Sequence, residues 1–215
     1  MSYRSRRIAF IGDSHGEALG PIFKARLERA GASVPLVIAH RGWSVARYLE
    51  SGELSRLAGV RPDTVIFELG GNDFVRSAGQ YAEQLGAAVD VARAAGAREV
   101  VWVGPSRVKE GSDRATSERH ERNAVYQESI LPQMGVRWVD SRRHTYGGHG
   151  GDGVHFGRAG YEAWAYGVLD DLATGGTANS PSSRRERSIA LGVTVIALAA
   201  LGAYAVSRAM VPRGA

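Results

Sequence analysis

The chain has 215 residues, 44% of them hydrophobic and 23% charged, enough for one globular domain with a sizeable core. It contains no cysteine, which excludes disulfides, thiolate catalysis, iron–sulfur clusters and cysteine zinc sites. Its net charge of +5 comes mostly from scattered arginines; the short cluster Arg4, Arg6, Arg7 has no nucleic-acid-binding motif beside it, so no nucleic-acid partner is expected.

Reading from the N-terminus, the apolar run at 8–11 is far shorter than the roughly 7–15 residues of a signal-peptide core, so no signal peptide is expected. Further apolar runs of strand length follow at 34–39, 64–69, 100–103 and 136–139, each rich in Val, Ile, Phe or Trp. Helical stripes lie between them. Leu19, Ile22, Phe23, Leu27 and Ala30 share one face, as do Tyr81, Leu85 and Val89. A more polar helix is predicted over 113–130. The clearest stripe is Tyr161, Trp164, Ala165, Val168, Leu169 and Leu172. Strands alternating with helices predict a parallel sheet covered on both faces.

After residue 173 the composition changes. Residues 174–187 are rich in Gly, Ser, Thr and Pro and read as a flexible linker. Residues 188–207 carry no charge; at about 1.5 Å per residue a helix of that length just spans a bilayer core of roughly 30 Å. The layout expected is a catalytic domain over 1–173, the linker, a C-terminal transmembrane helix over 188–207 and a short tail over 208–215. Arg184, Arg185 and Arg187 precede the segment, and Arg208 and Arg213 follow it. That excess puts the catalytic domain on the cytoplasmic side of the membrane.

The stretch Gly12-Asp13-Ser14-His15 admits two chemistries. Ser14 is a nucleophile, or Asp13 and His15 are ligands of a dinuclear phosphoesterase. The second needs further ligands to hold two ions about 3.5–4 Å apart. Gly70-Gly71-Asn72-Asp73 lacks the histidine such a motif needs, and Gly151-Asp152-Gly153-Val154-His155 ends in His where an Asp is required. The first reading has what it needs. Ser14, Gly42, Asn72 and the pair Asp152 and His155 each follow a predicted strand, and in an open parallel sheet ligands bind beyond the carboxyl ends of the strands. His155 is placed to act as the base for Ser14, and Asp152 to hold the imidazole in the right tautomer. The Ser14 and Gly42 backbone N–H groups and the Asn72 amide are candidate oxyanion donors.

Blander readings stay open at this point. Asp13 can simply cap a helix, Asn72-Asp73 can be a turn, and His155 a surface histidine. His144, His149, Asp152 and His155 are a possible zinc set. His15, His40 and His120 read as structural or exposed, and Trp43 and Tyr146 as candidates to line a pocket.

The four residues Ser14, Gly42, Asn72 and His155, in that order, resemble the SGNH (GDSL-like) hydrolase family over about residues 7–172. The Phe-Gly-Arg-Ala-Gly-Tyr run after His155 is also similar. The resemblance implies a flavodoxin-like three-layer α/β/α sandwich with a five-stranded parallel sheet, and ester hydrolysis with no metal or other cofactor. Two features depart from the family. His15 stands where the longer motif usually has Leu, and the C-terminal apolar segment is outside the pattern. The Gly-x-Ser-x-Gly elbow of classical lipases is absent. The function expected is a membrane-anchored serine esterase or acyl hydrolase working through an acyl-serine. An acyltransferase on the same triad and a catalytically silent binding module are the alternatives. Small acyl esters, O-acetylated sugars and lipids all fit as substrates.

Overall fold

Five short β-branched and aromatic segments pair side by side in a computed structural model that describes residues 3–174. They are β1 (Arg7–Gly12), β2 (Ser33–Ala39), β3 (Thr64–Glu68), β4 (Glu99–Val103) and β5 (Arg137–Val139). All neighbours run parallel, in the order β2-β1-β3-β4-β5, the flavodoxin-like order. Six α-helices connect or follow them: α1 (Ser14–Arg29), α2 (Val45–Ser51), α3 (Arg56–Val60), α4 (Ala78–Ala94), α5 (Arg114–Ile130) and α6 (Arg158–Thr174).

Alternating strand residues feed two separate cores. From β1, Ala9 and Ile11 point to one face and Ile8 and Phe10 to the other; from β4, Val100 and Trp102 oppose Val101 and Val103. Helices α1 and α6 cover one face through Leu19, Phe23, Leu27, Trp164, Val168 and Leu172. The other face is covered from α2 to α5 by residues that include Tyr48, Leu57, Tyr81, Leu85 and Ile130. Burial on both faces is why the strands read as continuous apolar runs rather than alternating ones.

The predicted strands and the helical stripes of α1, α4 and α6 are found where the sequence puts them, except that Ala30 is the exposed C-cap of α1. Helices α2 and α3 were not foreseen. Both are short; Ser44 caps the start of α2, accepting from the Arg47 N–H, and Gly52 ends it at φ 74°. Thr174 closes α6, so the linker does not begin at 174. The rest of the linker, the 188–207 segment and the tail lie outside the described residues. Among the described residues no helix is long and apolar enough to cross a membrane.

Helix α1 lies tight against the sheet. A Cβ at Gly12 would come within 2.6 Å of the Gly16 Cα, a backbone atom that cannot swing away. Gly12→Ala should therefore cost about 1–3 kcal/mol. Gly59, exposed in α3 with nothing within 4 Å of a Cβ, is the control: Gly59→Ala should be neutral or gain up to about 1 kcal/mol from helix propensity. Chemical denaturation of both variants measures the contrast.

Candidate active site

In a sheet of this order the succession of strands reverses between β1 and β3, and the crevice beyond their carboxyl ends is the natural ligand site. The turn after β1 delivers Asp13 and Ser14 there, and Ser14 is the first residue of α1. Ser14 Oγ lies 2.9 Å from His155 Nε2. His155 Nδ1 lies 2.6 Å from Asp152 Oδ2. The other oxygen, Asp152 Oδ1, accepts the Val154 and His155 N–H groups at 3.0 and 2.9 Å. The hydrogen bond from His155, then those from the backbone, hold the Asp152 carboxyl well below the usual carboxylate range. Asp152 is thus a fixed anion, which assigns the proton on His155 to Nδ1 and leaves Nε2 to accept from Ser14.

Gly42 occupies the third position of a turn closed by the Trp43 N–H on the His40 carbonyl at 3.1 Å. Its φ is 75°, a left-handed value that this turn position reserves for glycine, and the space beside its Cα is open. Asn72 lies in the turn after β3. Its amide Nδ2 donates to Asp13 Oδ2 at 2.8 Å and sits 3.5 Å from the Trp43 carbonyl. Asp73 ties the two turns together: Oδ1 accepts the Val45 N–H at 2.7 Å and Oδ2 the Tyr81 hydroxyl at 2.5 Å. Asn72-Asp73 is a turn, but one wired into its surroundings at both side chains.

Three buried polar residues of α5 hold this rim from behind. Asn123 Nδ2 donates to the carbonyls of Gly70 and Asp73, both at 2.8 Å. Gln127 Nε2 donates to the Leu69 carbonyl at 2.9 Å and to the Tyr81 hydroxyl at 2.7 Å. His120 Nδ1 lies 3.0 Å from the Ser106 carbonyl, and Arg119 Nε, half-buried, donates to the Gly71 carbonyl at 2.8 Å. The helix is polar because its inner face meets loop backbone that has no ladder partner.

Of the two readings open for His15 and His120, structural or exposed, the structure has the first: both are buried beside the site. The His15 ring packs 5.0 Å from that of His155 and 5.3 Å from Trp164, and Nδ1 is 3.1 Å from the Tyr161 hydroxyl. Burial pushes its basicity well down, and that of His120 to about 4, so both rings stay neutral in that apolar setting. Asp13 does cap α1, accepting the His15 N–H at 2.9 Å, but it is also fully buried, and burial pushes its carboxyl up to about 7. The four-residue zinc set does not assemble. His144 Nε2 turns to Asp171 at 2.8 Å and His149 Nε2 to the Arg107 carbonyl at 3.0 Å, and among the described residues no group of three or more His, Asp or Glu is arranged to hold a metal. Trp43 is half-buried against Tyr48, while Tyr146 is exposed with Arg107 over its ring. The residues missed altogether are Glu68, Asn123 and Gln127; a polar residue inside an otherwise apolar strand, as at Glu68, was the available signal.

The model of the GDSL-like Lipase/Acylhydrolase family matches residues 9–163. Among solved structures, a catalytic mutant of Axe2, an acetylxylan esterase from Geobacillus stearothermophilus, shares 16% identity at a TM-score of 0.64, covering 80% of this chain and 96% of that one. A second Axe2 variant, described as an acetyl-xylooligosaccharide esterase, shares 17% identity at a TM-score of 0.64, covering 85% of this chain and all of that one. LAE5, described as an alpha/beta hydrolase from the metagenome of Lake Arreo, Spain, shares 18% at a TM-score of 0.63, over 84% of this chain and 100% of that one. At such identities the likeness is one of fold. No curated protein matches the chain.

Asn123 carries two carbonyls of the Asn72 turn. Asn123→Ala removes the side-chain donor to the Asp73 carbonyl and leaves the Gly70 carbonyl only the Asp73 N–H at 3.3 Å, and should cost about 1–3 kcal/mol. Denaturant titration should show that loss, whereas Arg114→Ala, at the exposed start of the same helix, should stay within about 0.5 kcal/mol of the parent.

Proposed function

The chain belongs to the GDSL-like lipase/acylhydrolase family and is an ester-cleaving hydrolase, and we propose that it works through an acyl-enzyme on Ser14 with O-acetylated sugars as its substrate class. The observation that carries the reading is the unbroken chain of hydrogen bonds Ser14–His155–Asp152.

In this mechanism His155 Nε2 takes the Ser14 proton as Oγ bonds to the ester carbonyl carbon. The carbonyl π electrons move to oxygen, and the oxyanion is met by the Ser14 and Gly42 N–H groups and the Asn72 amide. Ser14 begins α1, so the positive end of the helix dipole adds to those donors. The intermediate collapses by breaking the bond to the alcohol oxygen, which leaves with the proton from His155. Water, deprotonated by the same Nε2, then attacks the acyl carbon and returns Ser14. Asp152 keeps the imidazolium oriented at both steps.

An acetylated sugar is favoured because the structures of the same fold named above include acetylxylan esterases. Phe74 supports it. This ring is 76% exposed, two residues past Asn72, and Arg119 lies over it at 4.5 Å. Its exposed aromatic face, close in sequence to Asn72, suits packing against a sugar leaving group. Membrane attachment through 188–207, with the catalytic domain on the cytoplasmic side, belongs to the same proposal. It is supported by the uncharged run and its flanking arginines.

The enzyme should release acetate from acetylated xylo-oligosaccharides, and Ser14→Ala should abolish that release with the fold intact by circular dichroism. Retained turnover in Ser14→Ala would end the acyl-serine reading. Asn72→Ala should lower kcat by roughly 10²–10³ with KM little changed; wild-type kinetics would remove Asn72 from the oxyanion site. Cell fractionation should place the full chain in membranes and residues 1–174 in the soluble fraction; full chain in the soluble fraction would contradict the anchor.

A further inference from the structure

Beneath the nucleophile lies a carboxyl group that the mechanism does not use. Glu68, the last residue of β3, is 2% exposed. Its Oε2 is buried without a hydrogen-bond partner. Two glycines make room for it: a Cβ at Gly12 would sit 3.3 Å from that oxygen, and one at Gly16 3.4 Å. The register of the sheet pairs Gly12 with Glu68, so the carboxyl reaches under the turn that carries Asp13 and Ser14. There it meets the Asp13 side chain, which is equally buried. Two carboxylates in contact inside a protein cannot both ionise; one keeps a proton and donates it to the other.

The surroundings decide which. Burial raises the Asp13 carboxyl to about 7, but it accepts two hydrogen bonds, from the His15 N–H at 2.9 Å and from Asn72 Nδ2 at 2.8 Å, which favour its anion, so Asp13 is the member of the pair that ionises, above about that pH. For Glu68, burial first and the charge of Asp13 second favour the neutral acid; backbone hydrogen bonds from Asp13 and Gly16 favour its anion but are outweighed, and no donor reaches its Oε2. The other titratable groups facing the pair do not reverse this. Asp73 raises Asp13 by like charge. The hydroxyl of Tyr48, from α2, donates to the Gly12 carbonyl at 2.6 Å, and Tyr48 stays protonated. Tyr161, from α6, is likewise held protonated by its burial. The His15 ring is neutral.

We propose that Glu68 and Asp13 form a one-proton carboxyl pair in which neutral Glu68 donates to the Asp13 anion, and the anion fixes the amide of Asn72 with its nitrogen toward the oxyanion site. Glu68 is a positioning residue acting through Asp13. A carboxylate acceptor selects the Nδ2 end of the Asn72 amide, and an amide turned the other way would present its oxygen to a developing negative charge. The assignment of a catalytic part to Asn72 rests on the reading above; the shared proton does not.

The test is the pH dependence of stability in full-length Glu68→Gln. A glutamate that stays protonated in the fold but ionises in the unfolded chain must take up a proton on folding above about pH 4.3. Its cost therefore grows as pH rises, and a glutamine has no such cost. The Tm of Glu68→Gln relative to wild type should be small near pH 5 and should increase steadily toward pH 8. A flat or decreasing difference, or a Gln variant that does not fold, overturns the pair. The positioning role has its own readout. Gln, a neutral donor, should keep kcat for an acetyl ester within about threefold. Met, which fills the volume without a donor, should lower kcat roughly tenfold with KM unchanged; equal kcat in the two variants overturns that role. The Tm series decides the pair even if the Met variant does not fold or no ester is turned over, whereas loss of the acyl-serine reading shows itself at Ser14→Ala.

Discussion

The site depends on one contact, the 2.9 Å hydrogen bond between Ser14 Oγ and His155 Nε2, which joins residues 141 positions apart in the chain. Nothing local enforces it. It exists because β1 is an interior strand of the sheet and α6 packs back over α1, so the loop before α6 closes over the start of α1. Asp152 is exposed and Val154 and His155 are half-buried, with Gly153 buried between them, and that loop is held by the Gly150 N–H on the His155 carbonyl at 2.6 Å and the Lys109 N–H on the Gly153 carbonyl at 2.7 Å. The His155 ring packs on that of His15, which in turn packs on Phe156 and Trp164. The triad is therefore as stable as the packing of α1 against α6, and no more so.

The opposite wall is built on a different principle. The turn after β3 carries Asn72, and its backbone leaves the sheet ladder at Leu69. Every carbonyl from there to Asp73 that is buried needs a partner or costs about 1–3 kcal/mol. Helix α5 supplies partners for those of Leu69, Gly70, Gly71 and Asp73. Such a network costs side-chain entropy to order, but it fixes the backbone of the turn that carries Asn72, whose amide Asp13 then orients, and preorganised donors are what electrostatic catalysis requires.

How legible this was in the sequence follows from the physics of each element. Strands buried on both faces are apolar throughout, and so 8–11, 34–39, 64–69, 100–103 and 136–139 could be read directly. The meeting of Ser14 with His155 and Asp152 was legible because residue type, order and position after a strand coincide; Gly42 and Asn72 lie in the turns after β2 and β3 where the sequence places them. The supporting residues were not legible. Hydrophobic periodicity does not mark a buried polar residue, so 113–130 read only as a more polar helix, and nothing in its pattern showed that the loop demands the burial of His120, Asn123 and Gln127. Glu68 was read as part of an apolar run, since its carboxyl is accommodated by glycines on another strand and helix, a coincidence of register that the sequence does not display. The turn role of Asn72-Asp73 and the catalytic role proposed for Asn72 were set against each other, yet the structure has a single turn whose side chains both face inward to partners.

The account stands on Ser14 as the nucleophile. The measurement that meets this most directly is labelling with a fluorophosphonate followed by peptide mapping. The adduct should fall on the peptide containing Ser14, should form far more slowly in His155→Ala, and should be absent in Ser14→Ala. An adduct on another residue, or one that persists in Ser14→Ala, would contradict the account.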